Sequence, residues 1–458
     1  MTKTIGTSLK RWSSGGERWY FAVGLANLVL GTSSILVPLM VSQVLHSTVA
    51  DLGVLSSLSS LVGVLGSLFW GGLSDAAHRR KPFIVLSFVA VSLGFVGIGL
   101  GPSFWAVVLA NMGLSFFWVA NAAVTVLIVT ENTDKAVWER KIGRLNQTGA
   151  IGWVGGLVLG SVGLAVAKRW LADAQAIRGL FLVLALGAAG AAALAVRLVP
   201  RTTKEFSPLR FRGLITAVGD FLVEAARFSP YNLYHRLNLK KLVALLRERN
   251  EAAQQTKRFL GVTFLAFAAL GFFGVPLPLL LSERFGLPSP TVFLYFVVLN
   301  VGVVFAYPWA SRRIDRFGNK AVQTAALLTR LALYVIAAVF LALSPAVPQP
   351  FVIVLYFLAI GLSWSFFQLS GVALTSRLAR PESRGQSLGL YNAVAGVGSI
   401  VAGVGSGYLA HRFGYHAPTV VSAVLVGLAL FLLRGLRVPQ TSAEEKESEQ
   451  VRSDDRLA

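Results

Sequence analysis

The chain has 458 residues, 55% hydrophobic and only 14% charged, with a formal net charge of +21. A soluble protein of this size carries about 25% charged residues, so the composition points to a chain solvated by lipid. Cysteine is absent and the five histidines (His46, His78, His235, His411, His416) are scattered, which excludes disulfides and cysteine nucleophiles and leaves no metal or cofactor site to expect.

In chain order, the N-terminal stretch MTKTIGTSLKRWSSGGER is polar and lacks a cleavable signal pattern, so the first apolar segment is expected to remain as an anchor. A membrane helix needs roughly 20 mostly apolar residues to cross about 30 Å of hydrocarbon. Twelve segments qualify: 19–41, 51–73, 82–100, 104–129, 145–167, 178–199, 258–281, 290–311, 320–343, 350–376, 386–410 and 417–436. Helices are the expected form, because lipid offers no partner to an unpaired backbone amide. The short alternating segments of a membrane barrel do not occur.

The basic residues give the expected orientation. With a cytoplasmic N-terminus, only Lys168, Arg169, Arg178, Arg284 and Arg412 fall in outer loops and Arg330 falls inside a span; the rest of the 42 lysines and arginines lie on the inner side. The positive charge is thus a topology signal and a match for anionic cytoplasmic lipids, rather than a sign of a nucleic-acid partner. The chain is expected in the cytoplasmic membrane, as a monomer, with both termini inside.

The second half repeats the first. At a constant offset Gly31 falls on Gly271, Pro38 on Pro278, Ser42 on Ser282 and Asp75 on Asp315, within the matching contexts LGTSSILVPLMVS and LGFFGVPLPLLLS. At a slightly larger one Gly143 falls on Gly389, Asn146 on Asn392 and Gly152 on Gly398. The expected fold is an all-α polytopic membrane protein of twelve transmembrane helices in two pseudo-symmetric six-helix bundles, residues 1–199 and 258–436. Residues 200–257 form a polar linker in which LKKLVALLRER has helical amphipathic spacing, fit to lie on the membrane surface or to pack beneath the bundle. Residues 437–458 are acidic, polar and expected to be disordered.

Charge concentrates in two turns, GGLSDAAHRRK from Gly71 and SRRIDRFGNK from Ser311. The first resembles the loop signature G-x-L-x-D-x-x-G-R-[RK] of the major facilitator superfamily: Gly71, Leu73, Asp75, Arg79 and Arg80 match, and His78 stands in place of glycine. The second keeps Asp315, Arg316, Gly318 and Lys320, and PESRGQSLG (381–389) is similar to the family's loop before helix 11. The resemblance implies a cytoplasmic latch in which Asp75, with Gly71, Arg79 and Arg80, meets the start of helix 11 near Arg384, and Asp315 and Arg316 form the second copy. Exposed ion pairs contribute roughly 0–1 kcal/mol each, so such a latch is weak enough to open. For Lys81 the topology signal is explanation enough.

Helix 5 carries a glycine ladder, Gly143, Gly152, Gly156 and Gly160, answered in helix 11 by Gly389 and Gly398. It resembles the antiporter motif of twelve-helix drug exporters, although Leu157 and Ser161 depart from it. Close helix packing accounts for the spacing; a hinge is what the resemblance implies. Gly385-Gln-Ser387-Leu-Gly389 spells the nucleophile elbow of hydrolases, but no strand precedes it, so no enzyme is expected.

The superfamily's plan, laid on this sequence, implies a cavity lined by Asn27, Asn111, Trp118, Asn121, Phe267, Phe273, Trp364, Phe367 and Gln368, with Trp153, Tyr295, Asn300, Tyr307 and Asn392 beside them. Each aromatic is equally suited to lipid or core, and each amide to an interhelical hydrogen bond. No acid or base lies deep in those helices, which puts proton coupling in question and leaves Glu131 and Asp51, at helix ends, as candidates. Arg330 is the lone intramembrane charge, placed either to act or to snorkel. The resulting expectation is a transporter working by alternating access on a small lipophilic or neutral amphiphilic substrate, drug-like or lipid, in the direction of efflux. An importer of a neutral polar solute such as a sugar, and a non-transporting receptor or scaffold, are the alternatives.

Overall fold

The computed structural model describes residues 17–76, 80–131, 138–200, 251–343, 347–379 and 384–437. Twelve long helices account for nearly all of them: α1 (Tyr20–Leu39), α2 (Val49–Ala76), α3 (Lys81–Leu100), α4 (Phe104–Glu131), α5 (Trp138–Ala167), α6 (Asp173–Leu198), α7 (Glu251–Gly274), α8 (Ser289–Phe317), α9 (Asn319–Leu343), α10 (Pro350–Leu378), α11 (Arg384–Phe413) and α12 (His416–Arg434). All twelve are long and apolar enough to cross a membrane, and no strand occurs among the described residues. Helices α5 and α7 are already formed at Trp138 and Glu251, ahead of 145 and 258, because a helix continues past the hydrocarbon edge into polar sequence (WERKIGR, EAAQQTKR). The rest of the linker, 201–250, and the tail from 438 lie outside the described residues.

The burial pattern is that of helices between lipid and a protein core. On α9 the stripe Val322, Gln323, Ala326, Leu327, Arg330, Tyr334 and Ala338 is buried. Its opposite face, with Leu328, Val335, Ile336 and Val339, is exposed and still apolar. Each half packs as its own bundle: α1 lies on α5 and α6, and α3 on α4 and α6; equivalently α7 lies on α11 and α12, and α9 on α10 and α12. The two largest contacts between the halves are α2 with α11 and α5 with α8, and each is the symmetry image of the other.

Small residues make these contacts possible. A Cβ on Gly152 would overlap the carbonyl of Gly24, and one on Gly156 the carbonyl of Leu28, so α5 lies directly on the backbone of α1. Thr32 Oγ1 donates to the Gly156 carbonyl at 2.6 Å across the same seam. Between the halves, Gly53 meets the backbone of Gly403 and Gly407, Gly160 meets the ring of Phe293, and Ser57 Oγ donates to Ile400 O at 2.5 Å while accepting from the Val404 amide at 2.8 Å.

These contacts gather at one end, where the links α1–α2, α5–α6, α7–α8 and α11–α12 lie. There Ser42 and Tyr415 donate to the two carboxylate oxygens of Glu283 at 2.6 and 2.7 Å. Ser289 donates to Gln43 at 3.0 Å, and Lys168 reaches Ser289 at 3.3 Å and Asp173 at 3.0 Å. At the opposite end the polar contacts between described residues stay within one bundle: Arg144–Glu17 at 2.9 Å in the first, Lys320 to the Leu436 carbonyl at 2.7 Å and Arg437–Glu251 at 3.1 Å in the second. Gly143 and Gly389, near that end of α5 and α11, have nothing within 4 Å of where a side chain would start, and Asn392 is exposed. Packing therefore accounts for Gly152, Gly156, Gly160 and Gly398, but not for Gly143 and Gly389. Among the described residues, the polar contacts between the halves therefore lie at one end.

Candidate functional site

Just beneath the closed end, between the halves, lies a cavity of about 340 Å³. The first half supplies Ser34, Ile35 and Pro38 from α1, Leu52 and Ser56 from α2, and Trp153 from α5. The second supplies Gly274, Val275 and Pro278 from α7 and its extension, and Phe296 and Asn300 from α8. Ser34 with Gly274, Ile35 with Val275 and Pro38 with Pro278 are repeat partners, so the cavity sits on the axis that relates the halves.

The local backbone explains why these segments meet here. Proline cannot donate the next helical hydrogen bond, and in each half the helix widens after it. Met40–Val44 and Leu280–Arg284 are π-helical turns. They close with equivalent bonds: Leu45 N to Met40 O at 3.0 Å and Ser47 N to Val41 O at 2.9 Å; Phe285 N to Leu280 O at 3.1 Å and Leu287 N to Leu281 O at 3.0 Å. Each ends on a left-handed residue, His46 (φ 50°) and Gly286 (φ 62°), again repeat partners. The widened turns carry Ser42, Gln43 and Glu283 into the closure above the cavity.

The cavity wall is apolar with a few neutral polar groups and no titratable side chain. Ser34 gives its proton to Gly31 O at 2.7 Å, which leaves its oxygen an acceptor, and the Asn300 amide nitrogen is tied to Phe296 O at 2.8 Å. Such a lining can hold a small, largely apolar body and orient it through a few hydrogen bonds.

Of the residues expected around a cavity, Asn300 and Trp153 line this one. Asn27 donates to its own helix at Val23 O, 2.8 Å, beside Gly149 of α5. Asn111 donates to Ser59 at 2.6 Å, an interhelical bond to α2. Trp118 stacks on Phe88 of α3 at 6.5 Å, and Asn121 is buried with its oxygen unpaired among described residues. In the second half Phe273 packs into the bundle against Tyr334 at 4.8 Å and Tyr356 at 6.2 Å, and Tyr295 against Phe357 at 5.6 Å. Tyr307 is exposed. Phe267, Trp364 and Phe367 form one aromatic cluster, with Gln368 a turn further along α10. Ser34, Ser56 and the two prolines were missed; their signal was the Pro38–Pro278 pair within the repeat.

Asp51 accepts from the Thr48 amide and hydroxyl, both at 2.9 Å, while Thr48 Oγ1 accepts from the Asp51 amide at 3.3 Å. This reciprocal cap starts α2 and gives Asp51 a structural task. Burial and the Glu283 carboxylate push the Tyr415 phenol above its ordinary value, so it stays a hydrogen-bond donor.

The sequence profile described as Major Facilitator Superfamily matches residues 19–237 and 259–455. The chain belongs to the major facilitator superfamily. No curated protein matches it. Its fold is similar to that of solved superfamily-like transporters: the nucleoside transporter NupG at 14% identity, TM-score 0.70, covering 92% of this chain and 98% of that one; a bacterial homolog of the human lysosomal transporter Spinster, inward-facing and occupied, at 12% identity, TM-score 0.68, covering 91% and 95%; and a POT family transporter in complex with 5-aminolevulinic acid at 13% identity, TM-score 0.69, covering 92% and 94%.

Of this superfamily's latch motif, Gly71 and Asp75 lie in the last turns of α2 and Arg384 begins α11, but their side chains, like that of Glu131 at the end of α4, lie outside the described residues, as does Arg79 entirely. Arg80 is buried at the start of α3, whereas Asp315 and Arg316 at the end of α8 are exposed, Arg316 lying over the Phe317 ring at 5.2 Å.

Proposed function

We propose that this superfamily member is a secondary transporter that moves a small lipophilic or neutral amphiphilic molecule, drug-like or lipid, across the cytoplasmic membrane by rocking its two halves about the central cavity, with efflux as the direction. The observation that carries this is the cavity itself, built from repeat-equivalent residues of both halves. The basic loops favour placing the end opposite the Glu283 contacts in the cytoplasm, with both termini there, anionic lipids against the basic rim, and a monomer as the working unit. Asp75 and the start of α11 then form the latch that closes that end in the outward-facing state.

The neutral lining supports transport without a proton relay through the cavity. The test is flux into proteoliposomes under an imposed pH gradient, comparing a lipophilic dye with a neutral sugar. Dye movement that ignores the gradient is expected. Sugar movement in its place would favour the importer of a neutral polar solute, for which Ser34, Ser56 and Asn300 are also a fitting wall. Binding of the dye without flux would make the chain a receptor. Steep proton dependence would return Glu131 or Asp51 to the coupling step.

A further inference from the structure

Arg330 is only 3% exposed, in the middle of the buried stripe of α9. It does not snorkel. Nη1 donates to the Tyr334 hydroxyl at 3.0 Å and Nη2 reaches the Ile360 carbonyl at 3.4 Å, while the guanidinium lies 5.7 Å from the Trp364 ring centroid. Nε has no partner among described residues. No carboxylate answers the charge: the acids of the second half's described spans, Glu251, Glu283 and Asp315, all stand at helix ends. A buried guanidinium held only by neutral dipoles is costly, and its planar fork fits an oxyanion.

Two further polar atoms nearby are idle. Gln368 Oε1, one turn along α10 from Trp364, and Tyr391 Oη on α11 are buried without partners among described residues. A set of rings connects Tyr391 to the Trp364 beside Arg330: Trp364 meets Phe267 edge-on at 6.2 Å, and Phe267 meets Tyr391 at 6.0 Å. Tyr334 and Ile360 are buried, whereas Trp364 is half-buried, the least enclosed of the three groups around the guanidinium. Phe273 packs on Tyr334, and the next residues in the chain, Gly274 and Val275, line the central cavity.

We propose that Arg330 is an anion receptor of the transport site: it takes the acidic head group, a carboxylate, phosphate or sulfonate, of an amphiphile whose apolar body occupies the central space, with Trp364 as the wall that moves aside. This rests on the amphiphile reading above and replaces its neutral head group with an acidic one. A fork-shaped, charge-assisted contact separates an acid from its neutral ester, which a purely structural arginine does not.

The test uses the full chain in phosphatidylcholine nanodiscs, with binding of NBD-labelled decanoate and of its methyl ester measured by fluorescence titration. The acid is expected to bind at least about tenfold more tightly than the ester, with that preference lost in Arg330→Gln and reduced in Arg330→Lys. Equal binding of acid and ester to the native protein, or a preference that survives Arg330→Gln, overturns the role of Arg330 and leaves the amphiphile reading standing. Binding of neither probe overturns both. If Arg330→Gln does not fold, Trp364→Ala is expected to speed association of the acid several-fold while leaving the ester unchanged; no change in either overturns the proposal. Phosphatidylglycerol in the disc competes with the acid if the head group belongs to a bilayer lipid and does not if the occupant is a free amphiphile; both results keep Arg330 as the receptor.

Discussion

His46 is the one non-glycine residue with a left-handed backbone among the described residues, and its repeat partner is Gly286. An L-residue in that region costs roughly 1–2 kcal/mol relative to glycine. His46→Gly is therefore expected to raise the thermal unfolding midpoint in detergent by an amount equivalent to about 1 kcal/mol, with transport unchanged. A lower midpoint would show that the imidazole makes a stabilising contact. Glu283 is the other residue with a clear individual task. Its two oxygens bind Ser42 of the first half and Tyr415 of the second, so neutralising it weakens the closure without creating a cavity. Because the chain has no cysteine, a single reporter such as Ser34→Cys can be followed without background. Its labelling from the closed side by an impermeant thiol reagent is expected to rise about three- to tenfold when Glu283→Gln is added, allowing for the exposure of these groups. Unchanged labelling would mean that the helix seams alone hold that end.

At the scale of the helix, the two classes of ladder glycine make opposite forecasts. Gly156 lies on the backbone of α1, and Gly143 has open space around it. Gly156→Ala forces two helices apart and is expected to cost about 1–3 kcal/mol, seen as a lower unfolding midpoint and a lower yield. Gly143→Ala is expected to leave both unchanged. The spans, their number and the repeat were legible in the sequence because length and hydropathy are one-dimensional properties. The fate of individual polar residues was not. Asn27 and Asn111 satisfy themselves within or between helices, as Val23 and Ser59 happen to lie within reach, and Phe273 turns toward Tyr334 rather than inward. Which side a residue faces depends on how each helix is rotated about its axis. Apolar residues on both faces conceal that rotation. The prolines were the better guide, since a missing amide alters the backbone wherever it falls.

For the molecule as a whole, stability and movement are in tension at two thin seams, α2 with α11 and α5 with α8. Glycines make the seams close-fitting at one end, and further along α11 Gly389 and Asn392 are exposed. The latch proposed for the other end has to be weak. Asp75→Asn is expected to lower flux in proteoliposomes several-fold while the protein still inserts and folds, since only the state closed at that end loses a contact. Flux at the native rate would assign Asp75 to topology alone.

The doubled wall of the cavity has one last consequence. Pro38 faces its own echo in Pro278, and Ile35 in Val275. A guest with two like ends can therefore meet matching residues with both ends at once, whereas a lopsided one leaves one end mismatched. Palindromic bis-aromatic compounds should accordingly make better blockers than either of their halves joined to an inert cap.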